Sequence, residues 1–219
     1  MVAGEPLVEI LARGPVLPVV TIDTVARAVP LVDALAAGGI DTVEVTLRTP
    51  TALDAIRAIR DARPELRVGA GTVLDADQLA ACAAAGARFA VSPGAIPRLL
   101  DAAAASDVPL LPGAATASEV MMLLERGYRA MKIFPADVVG GIGLLRALAG
   151  PLPAARFCPT GGVDAASAPD YLALDNVLCV GGSWLAPADA MAYGDWARIT
   201  DLAHAAATLT RRSHAGGTP

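Results

Sequence analysis

Short runs of β-branched and apolar residues alternate along the chain with alanine-rich stretches whose apolar positions recur at helical spacing. The runs are Val16–Val20, Thr42–Leu47, Arg67–Thr72, Phe89–Val91, Pro109–Pro112, Ala130–Phe134, Arg156–Thr160 and Val177–Val180. They recur every 20 to 26 residues or so, close to the minimum for a strand, two short loops and a crossover helix. The stretches between them, Val25–Ala37, Ala52–Ala62, Ala76–Ala85, Ala95–Ala105 and Ala117–Arg126, carry charges on the face opposite their apolar stripe. Several stop at glycine, as at Gly38-Gly39, Gly86 and Gly127, the usual left-handed end of a helix. Eight strand–helix units in one domain predict a (β/α)8 TIM barrel of the α/β class. The leading stretch Glu5–Arg13 reads as an extra helix under the barrel floor. The expected division is residues 1–14 as that capping helix, 15–210 as the barrel and 211–219 as a disordered tail. A doubly wound open sheet competes, but no Gly-x-Gly-x-x-Gly follows the first strand.

Inside a parallel barrel a polar residue in mid-strand needs a reason, because helices cover one face and packed side chains the other. The segment Thr42-Val43-Glu44-Val45-Thr46-Leu47-Arg48 alternates strictly. Period 2 turns Val43, Val45 and Leu47 toward the helices and Glu44, Thr46 and Arg48 toward the lumen. At about 3.3 Å per residue, Glu44 lies roughly 13 Å deeper than Arg48 if the strand stays extended. A buried carboxylate below a cation at the mouth is one reading, and an internal Glu44–Arg48 ion pair without chemistry is the other.

Lys132 changes the picture. It lies near the end of the apolar run Ala130-Met131-Lys132-Ile133-Phe134-Pro135 and is the one lysine among seventeen Lys+Arg. A lysine at a strand end can simply reach solvent. Arginine would serve as well there, however, and only lysine can shed its proton and form an imine with a ketone.

Composition narrows the chemistry further. The chain has 219 residues and a mass of 22.1 kDa, enough for one domain; it is 54% hydrophobic with 4% aromatic residues and a mean hydropathy of +0.52. Both histidines, His204 and His214, fall near the C-terminus, which leaves no histidine for a zinc site or a Ser/His/Asp triad unless the tail supplies it. A formal charge of -5 disfavours nucleic acid and anionic membranes as partners. No run approaches the roughly 20 apolar residues of a membrane span. No secretory signal is read at the N-terminus, so a cytoplasmic location is expected. Cys82, Cys158 and Cys179 are odd in number and far apart in apolar surroundings, and read as reduced core residues.

Small residues gather where the strands should end. Val68-Gly69-Ala70-Gly71-Thr72 delivers Thr72, and Ser92-Pro93-Gly94 and Pro112-Gly113 make sharp turns. Pro159-Thr160-Gly161-Gly162 follows the seventh run and Gly181-Gly182-Ser183 the eighth, where barrels often hold phosphate through backbone N–H groups.

With these motifs in order, the chain resembles the 2-keto-3-deoxy-6-phosphogluconate (KDPG) aldolases of the Entner–Doudoroff pathway, bacterial class I aldolases that also cleave 4-hydroxy-2-oxoglutarate (KHG). The resemblance runs from about Gly14 to about Ala206, through Glu44-Val45-Thr46-Leu47-Arg48-Thr49, Val68-Gly69-Ala70-Gly71-Thr72-Val73-Leu74, Ser92-Pro93-Gly94, Lys132-Ile133-Phe134-Pro135-Ala136, Phe157-Cys158-Pro159-Thr160-Gly161-Gly162 and Gly181-Gly182-Ser183-Trp184-Leu185. It implies that Lys132 forms the Schiff base and Glu44 shuttles the proton. It places Arg48 and Thr72 on the pyruvyl carboxylate and neighbouring oxygens, with Pro93 lining that pocket. Gly161, Gly162 and Ser183 would cradle the phosphate, and Phe134, Thr160, Gly181 and Gly182 are further substrate-binding positions. It further implies a homotrimer acting on a phosphorylated keto acid with no metal or cofactor. Thr160 favours the gluconate over the galactonate isomer. Two other readings stand beside it: a non-covalent phosphosugar isomerase or epimerase with Glu44 as base, and a non-catalytic phosphosugar-binding barrel.

Overall fold

The strands are short and buried on both faces, and all of their pairings are parallel. In the computed structural model, which describes residues 5–210, nine strands alternate with ten α-helices. The strands are β1 (Val16–Val20), β2 (Thr42–Thr46), β3 (Arg67–Gly71), β4 (Ala90–Val91), β5 (Leu110–Leu111), β6 (Gly113–Ala114), β7 (Ala130–Ile133), β8 (Arg156–Pro159) and β9 (Val180–Gly182). One sheet runs β5-β4-β3-β2-β1-β9 and a second runs β6-β7-β8. They abut at Pro112, which separates β5 from β6 because proline has no N–H to give a ladder; its carbonyl still accepts from Lys132 N at 2.9 Å. At the other end two isolated parallel bridges, Phe157↔Val177 and Thr160↔Gly181, tie β8 to the β9 segment.

The helices follow their local signals. They are α1 (Glu5–Ala12), α2 (Ala28–Ala37), α3 (Ala52–Ala62), α4 (Ala76–Ala85), α5 (Pro97–Ala104), α6 (Ala117–Glu125), α7 (Gly141–Ala149), α8 (Ala168–Leu172), α9 (Ala188–Tyr193) and α10 (Trp196–Ala207). The Asp75 side chain accepts from Gln78 N to start α4, and Gly86 ends it at φ 87°. Thr116 and Glu119 form a reciprocal capping box at the start of α6. Pro97 opens α5 at its first turn, where its missing N–H costs nothing. A Cβ on Gly38 would lie 2.6 Å from Thr200 O and 2.5 Å from Ala203 Cβ, so glycine there lets α10 close onto the end of α2.

Period-2 alternation divides the core into two clusters. Val43, Val45, Met131, Ile133 and Phe157 point to the helices and join the large outer cluster. Leu17, Val91, Leu111, Ala130 and Cys158 point the other way and form a smaller inner cluster, which Leu7 and Leu11 of α1 complete. Both α1 leucines are almost fully buried, at 1% and 2% exposure, and each is worth about 1.5–3 kcal/mol of burial.

Two expectations change in detail. The last strand lies at Val180–Gly182 instead of Val177–Val180, because pairing with β1 sets its register: Val16, Leu17 and Pro18 stand opposite Val180, Gly181 and Gly182. Gly181 and Gly182 are thus strand residues rather than a turn after the strand. The expected tail, residues 211–219 with His214, lies outside the described residues, as do residues 1–4 of the leading segment.

Candidate functional site

The same alternation that buries Met131 and Ile133 against helices turns Lys132 to the inner face, above Ala130. On β2 it does the same for Glu44 and Thr46, between Val43 and Val45. Lys132 and Glu44, 88 residues apart in sequence, meet there, with Nζ donating to Oε1 at 3.3 Å. Lys132 is 5% exposed and Glu44 1%, so each charge has been taken out of water and the pair depends on mutual contact. The Phe134 ring offers its face to the amine, with the centroid 5.3 Å from Nζ, a cation–π distance.

Room for this pair comes from glycine. A Cβ on Gly71 would overlap Glu44 Oε1 and lie 2.6 Å from its Cγ, so the carboxylate occupies the space a side chain on β3 would fill. Thr72 follows in the left-handed region at φ 62°, an unusual conformation for a β-branched residue and one that costs strain of about 1–3 kcal/mol. Thr46 Oγ1 donates to Val20 O at 3.1 Å and shares a hydrogen bond with Thr21 Oγ1 at 2.9 Å, which makes a hydroxyl shelf beside Glu44.

The two glycine-rich segments come together as well. Thr160 is bridged to Gly181, and a Cβ on Gly181 would overlap Thr160 Oγ1. Gly161 at φ 94° packs against Phe134 and Pro135, and Gly162 at φ 81° against Asp137; neither position suits a side chain. Gly182 lies against the indole of Trp184. Ser183 and Gly162 are exposed at the rim. Pro93 is half-buried in the turn after β4, where the backbone of Gly113 presses on it.

Arg48 lies in the turn after β2 and not on the strand itself. β2 ends at Thr46; Leu47 still donates its N–H to Gly71 O at 2.8 Å and packs on the outer cluster as expected, and Arg48 lies exposed in the turn without a hydrogen bond or ion pair among the described residues. The internal ion pair of Glu44 is with Lys132. The reading of the chain turned Thr46 to the lumen as found, but it gave Thr46, Gly71 and Trp184 no role in the site, and it missed a neighbour of Lys132. Cys158 is the cross-strand partner of Lys132 and accepts from the Cys179 thiol at 3.5 Å. That hydrogen bond, aided by the Lys132 charge, outweighs burial and holds the Cys158 thiol below the ordinary range.

A primary amine and a carboxylate buried in contact on parallel α/β strands are the equipment of an imine-forming carbon–carbon lyase. Residues 7–202 match the family described as KDPG and KHG aldolase, and the chain belongs to that family. The KHG/KDPG aldolase of Escherichia coli (strain K12) is 53% identical over 197 residues, which span 90% of this chain and 92% of that one. Among solved structures, the KDPG aldolase of Legionella pneumophila, captured with pyruvate as a covalent carbinolamine intermediate, superimposes with a TM-score of 0.91 at 45% identity, covering 93% of this chain and 98% of that one. The Zymomonas mobilis ZM4 enzyme, solved with 3-phosphoglycerate, gives 0.89 at 44% identity, covering 94% and 97%.

Proposed function

We propose that this chain is a class I aldolase that cleaves 2-keto-3-deoxy-6-phosphogluconate to pyruvate and glyceraldehyde 3-phosphate, and 4-hydroxy-2-oxoglutarate to pyruvate and glyoxylate. The observation that carries the reading is the Lys132 Nζ–Glu44 Oε1 contact of 3.3 Å on the buried inner face. Glu44 is within reach to take the proton that the amine must lose before it attacks the C2 ketone. Loss of water from the carbinolamine leaves an iminium, which accepts the electron pair of the C3–C4 bond as that bond breaks. The C4 hydroxyl proton goes to Glu44, the aldehyde leaves, and Glu44 returns a proton to C3 of the enamine. Water then hydrolyses the iminium, releasing pyruvate and the free amine. The covalent pyruvate adduct of the Legionella relative and the 3-phosphoglycerate bound by the Zymomonas relative support the two ends of this substrate.

In this reading Arg48 and Thr72 hold the pyruvyl carboxylate, Pro93 and Phe134 line its pocket, and Thr160, Gly161, Gly162, Gly181, Gly182 and Ser183 hold the far end with its phosphate. The two sheets are arcs of one closed eight-stranded barrel, with β5 and β6 a single strand broken at Pro112 and α1 capping the floor. Three chains form the working assembly, and Leu74 and Ile96, half-exposed on the connections after the neighbouring strands β3 and β4, supply apolar surface for it.

Borohydride reduction in the presence of pyruvate tests the reading: one reduced adduct is expected, on Lys132. An unlabelled Lys132 under turnover conditions would overturn it. Pyruvate release followed with lactate dehydrogenase, on both substrates, separates the aldolase from a phosphosugar-binding protein without turnover.

A further inference from the structure

Two of the three cysteines, 21 residues apart in the chain, meet in the fold. Cys158 on β8 and Cys179, the residue before β9, hold their Sγ atoms 3.5 Å apart, and each is 1% exposed. Strand pairing puts them there. The bridges Phe157↔Val177 and Thr160↔Gly181 flank the two residues, and Leu178 N donates to Phe157 O at 2.9 Å. They stand on adjacent parallel segments, between those two bridges. Cys158 also stands opposite Lys132 in the β7–β8 ladder, and its Sγ is 3.9 Å from Thr160 Oγ1. Cys82 makes the contrast. It lies in the outer cluster on α4, where burial alone pushes its thiol up to about 11.

We propose that Cys158 and Cys179 form a dithiol oxidation site, at which hydrogen peroxide closes a disulfide and thereby disables Lys132. The Cys158 sulfur attacks one peroxide oxygen, the O–O bond breaks, and water leaves with a sulfenic acid on Cys158. The Cys179 sulfur then displaces that oxygen as a second water. Two thiols and one peroxide become one disulfide and two waters: the sulfurs are oxidised, the peroxide oxygens are reduced, and both thiol protons end in water. Lys132 and Thr160 on this face keep 5% and 6% exposure, and the proposal requires a molecule of peroxide's size to pass them. Closure shortens the sulfur separation from 3.5 Å to about 2.05 Å, which draws β8 toward the β9 segment. Because β8 is the ladder partner of β7, the 3.3 Å Lys132–Glu44 contact moves with it, and a displacement of about 1 Å in such a site costs roughly 100-fold in rate.

The test uses the full, reduced chain exposed to hydrogen peroxide and digested with trypsin without reductant. No Lys or Arg lies between Phe157 and Arg198, so both cysteines fall in one peptide, which loses about 2 Da on closure. The expected result is that loss, reversed by dithiothreitol, with Cys82 unchanged. The yield of the pyruvate–borohydride adduct on Lys132 should fall roughly tenfold or more and recover with dithiothreitol. Cys179→Ala should form the adduct normally when reduced, and under peroxide its Cys158 should gain oxygen instead of losing hydrogen. The proposal is overturned if the 2 Da loss is absent, if it arises only in denaturant, or if it leaves the adduct yield unchanged. The adduct measurement rests on the imine reading: a reduced chain that forms no adduct sinks that reading, while the peptide mass still decides the dithiol site.

Discussion

Gly71→Ala isolates the role of Glu44 without touching either charged residue. The added Cβ would lie 2.6 Å from Glu44 Cγ and 2.7 Å from Cδ, where ordinary contact begins at 3.4 Å. The carboxylate must therefore retreat by about 1 Å, and the 3.3 Å contact with Lys132 is lost or skewed. Overpacking of this kind costs about 1–3 kcal/mol of stability, and a mispositioned acid–base group costs roughly 100-fold in rate. Lys132 itself stays in place, so the adduct should still accumulate with saturating pyruvate, though more slowly because Glu44 no longer takes the proton of the amine, while kcat for cleavage falls. The assay is therefore paired: borohydride adduct yield on Lys132 against steady-state pyruvate release, with thermal melting as the check on folding. Gly69→Ala on the same strand is the control, since its Cβ would strike the Phe89 ring and leave the carboxylate alone. Equal stability losses in the two variants, with only Gly71→Ala losing turnover, is the expected pattern. A folded Gly71→Ala enzyme with unchanged kcat would refute the claim that Glu44 position governs cleavage.

Lys132→Arg keeps a cation beside Glu44 but cannot form an imine, so the borohydride adduct should vanish and lyase activity fall by at least about 1,000-fold; near-normal turnover would favour a non-covalent mechanism. Ser183→Ala removes a hydroxyl at the rim and should raise KM for the phosphorylated substrate several-fold while leaving 4-hydroxy-2-oxoglutarate almost unaffected, as read from parallel kcat/KM values. The Cys82 thiol is held at about 11 in the fold against an ordinary 9.0, so the folded state keeps the proton that the unfolded chain releases. Stability from this group is complete below pH 9 and is lost as the pH rises toward 11, by roughly 2–3 kcal/mol. Urea unfolding of Cys82→Ala should show correspondingly less loss over that window. Sedimentation should give a particle of about 66 kDa, three times the 22.1 kDa chain; a monomer would remove the proposed assembly.

How much of this was legible in the chain depended on the range of the interaction involved. Helices α3 and α4 begin and end at the expected residues because their stripes, Asp75 and Gly86 act within one or two turns. Glu44 and Lys132 stood out because a charge amid β-branched residues is costly unless paired, though only the fold shows that each is the other's partner. Features set by distant pairing were hidden. Gly181 and Gly182 carry no β signal, and become strand only because β1 offers them a partner. Arg48 continued a perfect alternation on paper, but it falls in the turn beyond Leu47, whose N–H still bonds to Gly71 O of β3. Cys158 and Cys179 looked like two unrelated core thiols because their contact depends on the offset between β8 and β9.

The ring of Trp184 lies close enough to Gly182 that no side chain could stand between them. This half-buried indole, one of only two in the chain, therefore sits at the mouth of the segment proposed to grip the anionic end of the substrate, while Trp196 opens the peripheral helix α10. The protein accordingly carries its own optical probe. Ligand arriving at Gly181–Ser183 alters the polarity around a native fluorophore, so occupancy can be titrated by emission, without label or turnover, even in a variant whose chemistry has been silenced.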